Sequence, residues 1–339
     1  MGLSSLLRNA TKIAPHASLI FGQVITASYI ILSKVILVKG ISSTVFLIYQ
    51  FILATLFMAA LALIFERKKR PPLDKDILCW IFLLALVGVT LAQNMLAGAL
   101  YFTSSTLESS VLNMIPAITF ILSLISRQEQ LDIHTWWGKG KILGTLISVS
   151  GALTLMLWRR STDHLMMSPS FRDRMIGLLM VIIGVISFSA WILMLEPVIR
   201  RYPAELTMTS LMFFFATLQT SVIAAISSHR ATQWQLKWDL ELLNIFIGGA
   251  LNSGLANFFV AWCAGLKGPV FVASFSPLGL LFTTVLDTIF LGHSIETGSV
   301  LGSAMIVLGL YMFLYSKAKE EAKQLPDAAD GSLASPFIP

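Results

Sequence analysis

Residues 113–151 read NMIPAITFILSLISRQEQLDIHTWWGKGKILGTLISVSG, and residues 274–309 read SFSPLGLLFTTVLDTIFLGHSIETGSVLGSAMIVLG. Each stretch begins with a polar residue three positions before a proline: Asn113 and Pro116, then Ser274 and Pro277. After a polar joint, each continues with glycines at identical spacing: Gly140, Gly144 and Gly151, then Gly298, Gly302 and Gly309. A unit that occurs twice in this way indicates an internal repeat, which decides how the fold is assigned.

The composition is that of a membrane protein. Of 339 residues, 56% are hydrophobic and only 12% are charged, and the mean hydropathy is +0.79, whereas soluble domains are about 25% charged. The basic residues lie in short runs between apolar stretches, where they orient helices in a bilayer. A lipid bilayer is therefore expected as the surroundings of this chain, and nucleic acid is not expected as a partner.

The apolar segments predict an all-α integral membrane protein with ten transmembrane helices, because a bilayer core needs roughly 20 apolar residues per helix. The predicted spans are 15–37, 44–65, 77–99, 104–126, 140–158, 175–196, 204–227, 241–264, 269–291 and 297–316. The corresponding domains are a first five-helix repeat with a short N-terminus (1–160), a connecting loop (161–174), a second five-helix repeat (175–316) and a disordered cytoplasmic tail (317–339).

An even number of spans places both termini on the same side of the membrane. With the N-terminus inside, the cytoplasmic joints contain roughly twice as many Lys and Arg residues as the outside joints. The joint between Arg159 and Arg174 is the exception, since it is basic and lies outside in this arrangement. The bias predicts that the N- and C-termini are both cytoplasmic.

The repeat extends to the remaining helices. Gly22 and Tyr29 have counterparts 162 positions later at Gly184 and Trp191, and Asn94 corresponds to Asn257. Helices one to five therefore match helices six to ten. Because each half has an odd number of spans, the halves cross the membrane in opposite directions, an inverted repeat that is typical of carriers.

Polar groups inside the spans are the candidates for a substrate site. The uncharged set is Gln23, Gln93, Asn94, Asn113, Asn252, Asn257, Ser189 and Ser274. Amides and hydroxyls at this depth can bind a substrate's polar groups, or can hydrogen-bond one helix to another. A proline within a helix frees backbone carbonyls one turn earlier. The predicted substrate-binding residues are Asn113, Pro116, Ser274, Pro277, Asn94, Asn257, Gln93 and Trp191, with packing as the alternative role for Trp191.

Two acidic residues, Glu108 and Asp287, fall within predicted spans and are candidates for proton coupling. The alternative is that each lies at the extracellular interface and is hydrated. We find no zinc-protease, Cys-x-x-Cys or phosphate-loop signature, so no enzyme activity, metal or cofactor is expected. The two cysteines, Cys79 and Cys263, lie in apolar spans and are expected to be free thiols.

Several motifs resemble a known family. They are Trp262-Cys263, Lys267-Gly268-Pro269-Val270-Phe271-Val272, Phe275-x-Pro277-Leu278 and, in the first half, Asn113-x-x-Pro116-Ala117-x-Thr119-Phe120. Together they are similar to the EamA modules of plant nodulin-type transporters, the UMAMIT (WAT-related) group of the drug/metabolite transporter superfamily. The resemblance implies two EamA repeats, residence in the plasma membrane or vacuolar membrane, and movement of amino acids, with auxin handled by some members.

This chain departs from that family pattern in three places. His293 follows Leu291-Gly292 where an acidic residue is usual, and Glu108 and Asp287 are also atypical. His293 therefore joins Glu108 and Asp287 as a candidate for proton coupling. The expected function is a secondary transporter of small organic solutes, amino acids first, by alternating access. The alternatives are a carrier of another small metabolite on the same fold and a non-transporting membrane receptor.

The Gly-x-x-x-Gly faces of the fifth and tenth predicted helices are expected to pack closely. Two arrangements remain open from the sequence. The fifth and tenth helices can pack against each other within one chain, or the same faces can form the interface of a homodimer.

Overall fold

The computed structural model describes residues 3–37, 43–68, 70–99, 102, 112–129, 131–132, 134–158, 171–227, 240–291 and 297–333. Within these ranges every regular element is helical. In chain order the helices are α1 (Leu3–Leu37), α2 (Ser43–Phe65), α3 (Lys75–Ala99), α4 (Ile115–Ile125), α5 (Trp136–Trp158), α6 (Phe171–Arg201), α7 (Glu205–Ser227), α8 (Leu240–Phe246, Ile247–Ala256 and Asn257–Lys267), α9 (Pro269–Ser274 and Ser276–Leu291) and α10 (Thr297–Leu333).

Among the described residues, eight helices are long and apolar enough to cross a membrane, and the shorter Ile115–Ile125 is also apolar. The chain is thus a multi-pass integral membrane protein. Two of the predicted spans are not among the eight. Most of the first half of span 104–126 lies outside the described residues, and α5, which contains span 140–158, begins with the polar turn around Lys139 and Lys141.

The tail differs from the sequence prediction. Span 297–316 was expected to be followed by disorder, but α10 continues as a helix to Leu333. Residues 317–324 are Lys, Ala, Glu and Gln only, and these are strong helix formers. Helix propensity therefore extends α10 beyond its apolar part.

Two helices contain widened turns with i→i+5 hydrogen bonding, at Ala85–Leu91 in α3 and at Ile247–Ala256 in α8. The two π-helical segments begin 162 positions apart, so they occupy equivalent places in the two halves. Such segments are rare and are frequent at functional sites. The sequence analysis did not predict them.

The prolines of the repeated motif start helices rather than interrupting them. Pro116 is in the first turn of α4, which follows a turn at 113–114, and Pro277 is the second residue of the longer segment of α9, which follows a break at Phe275. Pro269–Leu286 nevertheless remains one candidate membrane span, although its helix is broken at Phe275. Proline lacks an N–H and has a fixed φ, so it fits the first turn, where that donor is not needed.

The helix contacts are the same in both halves once the halves are exchanged. α2 packs on α7 and α5 packs on α10, while the contacts of α1 with α8 and α9 are repeated by those of α6 with α3 and α4. Phe51 and Phe213, 162 positions apart, have ring centroids 5.6 Å from each other at the α2–α7 contact. The fold therefore has an approximate two-fold relation between its halves.

The glycine faces pack within the chain. A methyl group added at Gly144 would lie 2.7 Å from the Gly309 carbonyl oxygen, and one added at Gly151 would lie 2.8 Å from the Gly302 carbonyl oxygen. The α5–α10 backbones approach so closely that only glycine fits at these positions. Of the two arrangements left open by the sequence, the structure has the internal one; homodimerisation stays a prediction.

Candidate functional site

The contact between α1 and α8, which we call the α1–α8 seam, is polar. Thr26 Oγ1 donates to Asn252 Oδ1 at 2.9 Å, and Asn244 Nδ2 donates to Ser33 Oγ at 3.2 Å. Between these two bonds the Tyr29 ring lies against Gly248. The two helices are thus joined by side-chain hydrogen bonds that lie about two turns apart.

Tyr29 also connects the α1–α8 seam to α2. Its hydroxyl donates to Gln50 Oε1 at 3.1 Å, while Gln50 Nε2 is buried and has no hydrogen-bond partner among the described residues. A methyl group added at Gly248 would lie 2.6 Å from Tyr29 Cε2 and 2.7 Å from Gln50 Cδ. Gly248 therefore provides the space that the Tyr29 and Gln50 side chains occupy.

The equivalent contact between α6 and α3, the α6–α3 seam, is apolar. Trp191 takes the place of Tyr29 and packs on Gly88, where any added methyl group would overlap the indole. Trp191 Nε1 donates to Met212 Sδ at 3.3 Å, just as Tyr29 donates to Gln50 at the same sequence separation. An aromatic ring therefore packs on a glycine at the same position in both seams, but the surrounding contacts are hydrogen bonds in the α1–α8 seam and apolar in the α6–α3 seam.

One face of α1 lies between its contacts with α8 and with α9. Leu19, Gln23, Thr26 and Ile30 share this face, and their exposure rises from 2% at Leu19 to 40% at Ile30. Thr26 contacts α8 through Asn252, and Gln23 reaches Gly279 of α9. The exposure of this α1 face therefore increases from its N-terminal part towards Ile30.

Aromatic side chains lie at the buried end of this α1 face. The His16 ring is edge-on to Phe271, with ring centroids 5.1 Å apart, and Phe271 in turn contacts Phe275 at the break in α9. Nearby, Cys263 of α8 is buried against Ser18 of α1. α1, α8 and α9 are thus closely packed at this end.

The four residues of the repeated motif lie at the two helix starts. Asn113, Pro116, Ser274 and Pro277 are all buried, and the first segment of α9 packs against α4. The Ser274 hydroxyl donates to the Phe271 carbonyl oxygen of its own helix at 2.7 Å. The structure therefore brings the two proline-containing helices together, with the Ser274 hydroxyl already hydrogen-bonded.

The Asn94 and Asn257 side chains donate hydrogen bonds to backbone carbonyls in the two π-helical segments. Asn94 Nδ2 donates to the Thr90 carbonyl oxygen at 2.7 Å, and Asn257 Nδ2 donates to the Asn252 carbonyl oxygen at 3.1 Å. Thr90 and Asn252 are 162 positions apart, so the two amides make equivalent bonds. Each satisfies a backbone acceptor at the C-terminal part of a π-helical segment.

The other predicted site residues are distributed as follows. Gln93 is half-buried next to Asn94 on α3, and Trp191 is only 1% exposed within the α6–α3 seam. Glu108, His293 and the side chain of Asp287 lie outside the described residues. In the described part of the chain, no group of three or more His, Cys, Asp or Glu side chains is arranged to hold a metal ion.

The family assignment agrees with this geometry. A family model described as the EamA-like transporter family matches residues 16–157 and 175–315. This chain belongs to the EamA-like transporter family. The two matched regions are the two EamA repeats, which contain α1 to α5 and α6 to α10, and membership places the chain among membrane transporters of small solutes rather than among enzymes.

The relatives of these EamA repeats are plant proteins. A WAT1-related protein of Arabidopsis thaliana is 35% identical over 311 residues, covering 87% of this chain and 85% of the relative. The Arabidopsis protein WALLS ARE THIN 1 is 33% identical over 328 residues, covering 91% of this chain and 84% of the relative. One solved crystal structure matches with a TM-score of 0.67 at 13% identity, covering 88% of this chain and 97% of that one, which supports the fold alone.

An ion-pair cluster that the sequence analysis missed joins the two EamA repeats. Lys141 of α5 is fully buried between Glu129 Oε1 at 2.9 Å and Glu320 Oε2 at 2.6 Å, and Lys317 Nζ lies 3.2 Å from Glu129 Oε2. The available signal was Lys141 itself, a cation within a predicted span, which requires an anionic partner. The cluster fixes the α4–α5 connection to the extension of α10.

Proposed function

We propose that this chain is a secondary transporter that moves small organic solutes across a membrane by alternating access. Amino acids are the first candidate substrates and auxin-like acids the second. The observation that carries the proposal is the exchange symmetry of the contacts, in which α1–α8 and α1–α9 are matched by α6–α3 and α6–α4. In an inverted repeat, exchange of the two halves' conformations converts an inward-open state into an outward-open one.

The proposal includes ten spans with both termini in the cytoplasm of a plasma-membrane or vacuolar-membrane protein. With that orientation, the buried end of the α1 face beside Leu19 lies towards the cytoplasm and the more exposed end beside Ile30 lies towards the outside. The basic joints on the N-terminal side support the orientation.

In this proposal the substrate site lies between α1, α3, α4, α6, α8 and α9. Asn113 and Ser274 contact the substrate's polar groups, and Pro116 and Pro277 shape the wall at the helix starts. Asn94, Asn257, Gln93 and Trp191 are further candidates, and Glu108, Asp287 and His293 are the candidates for proton coupling. The burial of Asn113 and Ser274 beside the α4 and α9 starts supports these roles.

The function is tested by flux of labelled amino acids and auxin from proteoliposomes, with and without a pH gradient. Saturable flux of any member supports a carrier and gives its substrate class. Acceleration by the gradient supports coupling through Glu108, Asp287 or His293. Absence of flux for the whole panel contradicts the proposed substrates.

A point variant tests the first of the site residues. Asn113→Ala is expected to reduce uptake severalfold without reducing the amount of protein in the membrane, because the amide is removed while the helix start at Pro116 is retained. Uptake per molecule is measured after quantifying the reconstituted protein. Unchanged uptake would remove Asn113 from the site.

Two other functions make different predictions. A carrier of phosphorylated metabolites needs Lys or Arg side chains to bind phosphate, but the sequences 13–33 and 242–266 contain neither residue. A receptor would bind its ligand in a purified preparation and give no flux across vesicles.

A further inference from the structure

Two uncharged amides lie in the middle of their membrane spans. Gln23 is at the centre of the span Ile13–Ser33, and Asn252 is close to the centre of the span Glu241–Lys267. Both side chains are half-buried. At this depth an amide that is not hydrogen-bonded is unfavourable, so polar residues there are functional candidates.

The hydrogen-bonding capacity of these two amides is largely unused. Over the described ranges, the Gln23 amide has no hydrogen-bond partner, and Asn252 makes a single side-chain bond, in which Oδ1 accepts from Thr26 Oγ1 at 2.9 Å. Two NH₂ groups, Gln23 Nε2 and Asn252 Nδ2, therefore remain available as donors.

Thr26 connects the positions of the two amides. Gln23 and Thr26 are three residues apart on one face of α1, where Cβ atoms are about 5–6 Å apart, and Thr26 bonds Asn252 directly. Asn252 belongs to the π-helical segment of α8, and its backbone carbonyl accepts a hydrogen bond from Asn257. Asn252 is thus held at the level of Thr26, about one turn along α1 from Gln23.

The backbone of α9 lies next to Gln23 at Gly279. A Cβ atom at Gly279 would lie 2.5 Å from Gln23 Oε1, so a side chain at this position would displace the Gln23 amide from where it lies. Gly279 is two residues after Pro277, so the helix start of α9 is close to Gln23. Both amides belong to the contact region of α1 with α8 and α9.

The other half of the chain lacks an equivalent pair. The counterpart of Gln23 is Val185, which is fully buried, and the counterpart of Asn252 is Thr90, whose hydroxyl donates to Gln219 Oε1 at 2.6 Å. Among the described residues, this pair of amides with unused donors therefore occurs at the contact of α1 with α8 and α9 and not at the equivalent contact of α6. Repeat symmetry alone does not explain them.

We propose that Gln23 and Asn252 form a carboxylate-binding subsite, in which Nε2 of one and Nδ2 of the other donate to the two oxygens of a substrate carboxylate. The proposal rests on the proposed transport function and assigns residues within it. Hydrogen bonds to an ionised acceptor are the stronger kind. Neutral amides can provide them near the middle of a membrane span, where a fixed Lys or Arg would be costly without substrate.

The test compares acids with their uncharged esters in proteoliposomes of the full chain. The probes are L-alanine and its methyl ester, and indole-3-acetate and its methyl ester. In wild-type protein, we expect the acid to bind at least tenfold more tightly than the ester. Asn252→Asp, which replaces the donor by an anionic acceptor, and Gln23→Leu, which removes it, are each expected to raise the KM for the acid at least tenfold.

The ratio of acid KM to ester inhibition constant is measured within each variant, so it does not depend on how much protein is folded. The two variants lie on different helices and test the subsite independently. Ser28→Ala is the matched control, because the Ser28 hydroxyl bonds only the Val24 carbonyl of α1. Its ratio is expected to equal that of the wild type.

The outcomes separate the two proposals. If the ratio in both Asn252→Asp and Gln23→Leu equals that of the wild type, the proposed subsite is wrong and the proposed transport function is unaffected. Wild-type protein that takes up neither acid contradicts the proposed substrates and, with them, a subsite for their carboxylates. Loss of the ratio in the variants supports the subsite, and the alanine and indole-3-acetate arms then show which class of acid supplies the carboxylate.

Discussion

The α1–α8 seam and the α6–α3 seam occupy equivalent places in the two repeats, but they are built from different chemistry. In the first, Thr26, Tyr29 and Ser33 hydrogen-bond to α8 and α2. In the second, Trp191 fills the space over Gly88 and its N–H meets a sulfur atom. The two repeats therefore have helix contacts at the same positions, but different interactions stabilise those contacts.

The difference indicates a division of roles. An apolar seam is stabilised by close packing, which is lost when the helices separate. Hydrogen bonds in a polar seam can be exchanged for bonds to water or to a substrate at little net cost. We expect the α6–α3 seam to contribute more to stability and the α1–α8 seam to contribute more to substrate recognition.

The largest expected effect is truncation of the aromatic residue in each seam. Trp191→Ala is expected to cost about 3–5 kcal/mol, because a fully buried indole is replaced by a cavity. Tyr29→Ala is expected to cost clearly less, since Tyr29 is only half-buried. Thermal unfolding of both variants in the same detergent measures the difference, and equal losses would contradict the division between the seams.

Paired glycines provide a test of intermediate size. A methyl group at Gly184 would lie 2.9 Å from Leu96 Cγ, whereas one at its counterpart Gly22 would lie 3.8 Å from Ala256 Cβ. Gly184→Ala is expected to cost about 1–3 kcal/mol from overpacking, less about 1 kcal/mol gained in helix propensity. Gly22→Ala, the matched control, is expected to be neutral or slightly stabilising.

The measurement for this pair is the melting temperature of each variant relative to the wild type. A Gly22→Ala variant that is less stable than Gly184→Ala would mean that the α1–α8 seam is the tighter of the two. That result would contradict the expectation that the α6–α3 seam contributes more to stability than the α1–α8 seam.

The smallest expected effect is removal of one seam hydrogen bond. Tyr29→Phe removes the donor to Gln50 and is expected to cost about 0.6 kcal/mol, a typical value for such bonds in membranes. Met212→Leu removes the sulfur acceptor of Trp191 while preserving volume, and is expected to cost less than about 1.5 kcal/mol. Chemical denaturation resolves the two values; a large loss for either would show that its seam depends on that single bond.

Much of the fold could be predicted because repetition is visible in the sequence. The 162-residue offset pairs Gly22 with Gly184 and Tyr29 with Trp191, and the structure has both pairs at equivalent seam positions. The spacing of Gly144 and Gly309 likewise predicted close packing of α5 and α10. These features depend on local residue size, which the sequence states directly.

Other features depend on hydrogen bonding between distant segments and could not be predicted. Whether a turn widens to i→i+5 depends on an acceptor such as the Asn252 carbonyl finding a donor such as Asn257. Gln23 and Asn252 belong to the mid-span polar set, but only the structure shows that Thr26 joins them and that Gly279 admits Gln23. Trp191 was predicted at a substrate site. The sequence does not show that Gly88 lies opposite Trp191, and this contact is what buries the indole in the α6–α3 seam.

The measurement that tests the central claim most directly is counterflow in proteoliposomes of the full-length chain. Vesicles are loaded with unlabelled L-alanine or indole-3-acetate and diluted into a trace of the same labelled acid. Alternating access predicts a transient accumulation of label inside the vesicles above its equilibrium level. Each time the carrier releases unlabelled substrate outside, its empty site can bind labelled substrate and carry it inside. Label that rises only to equilibrium at the leak rate, or does not enter at all, would contradict alternating-access transport of these acids by the two repeats.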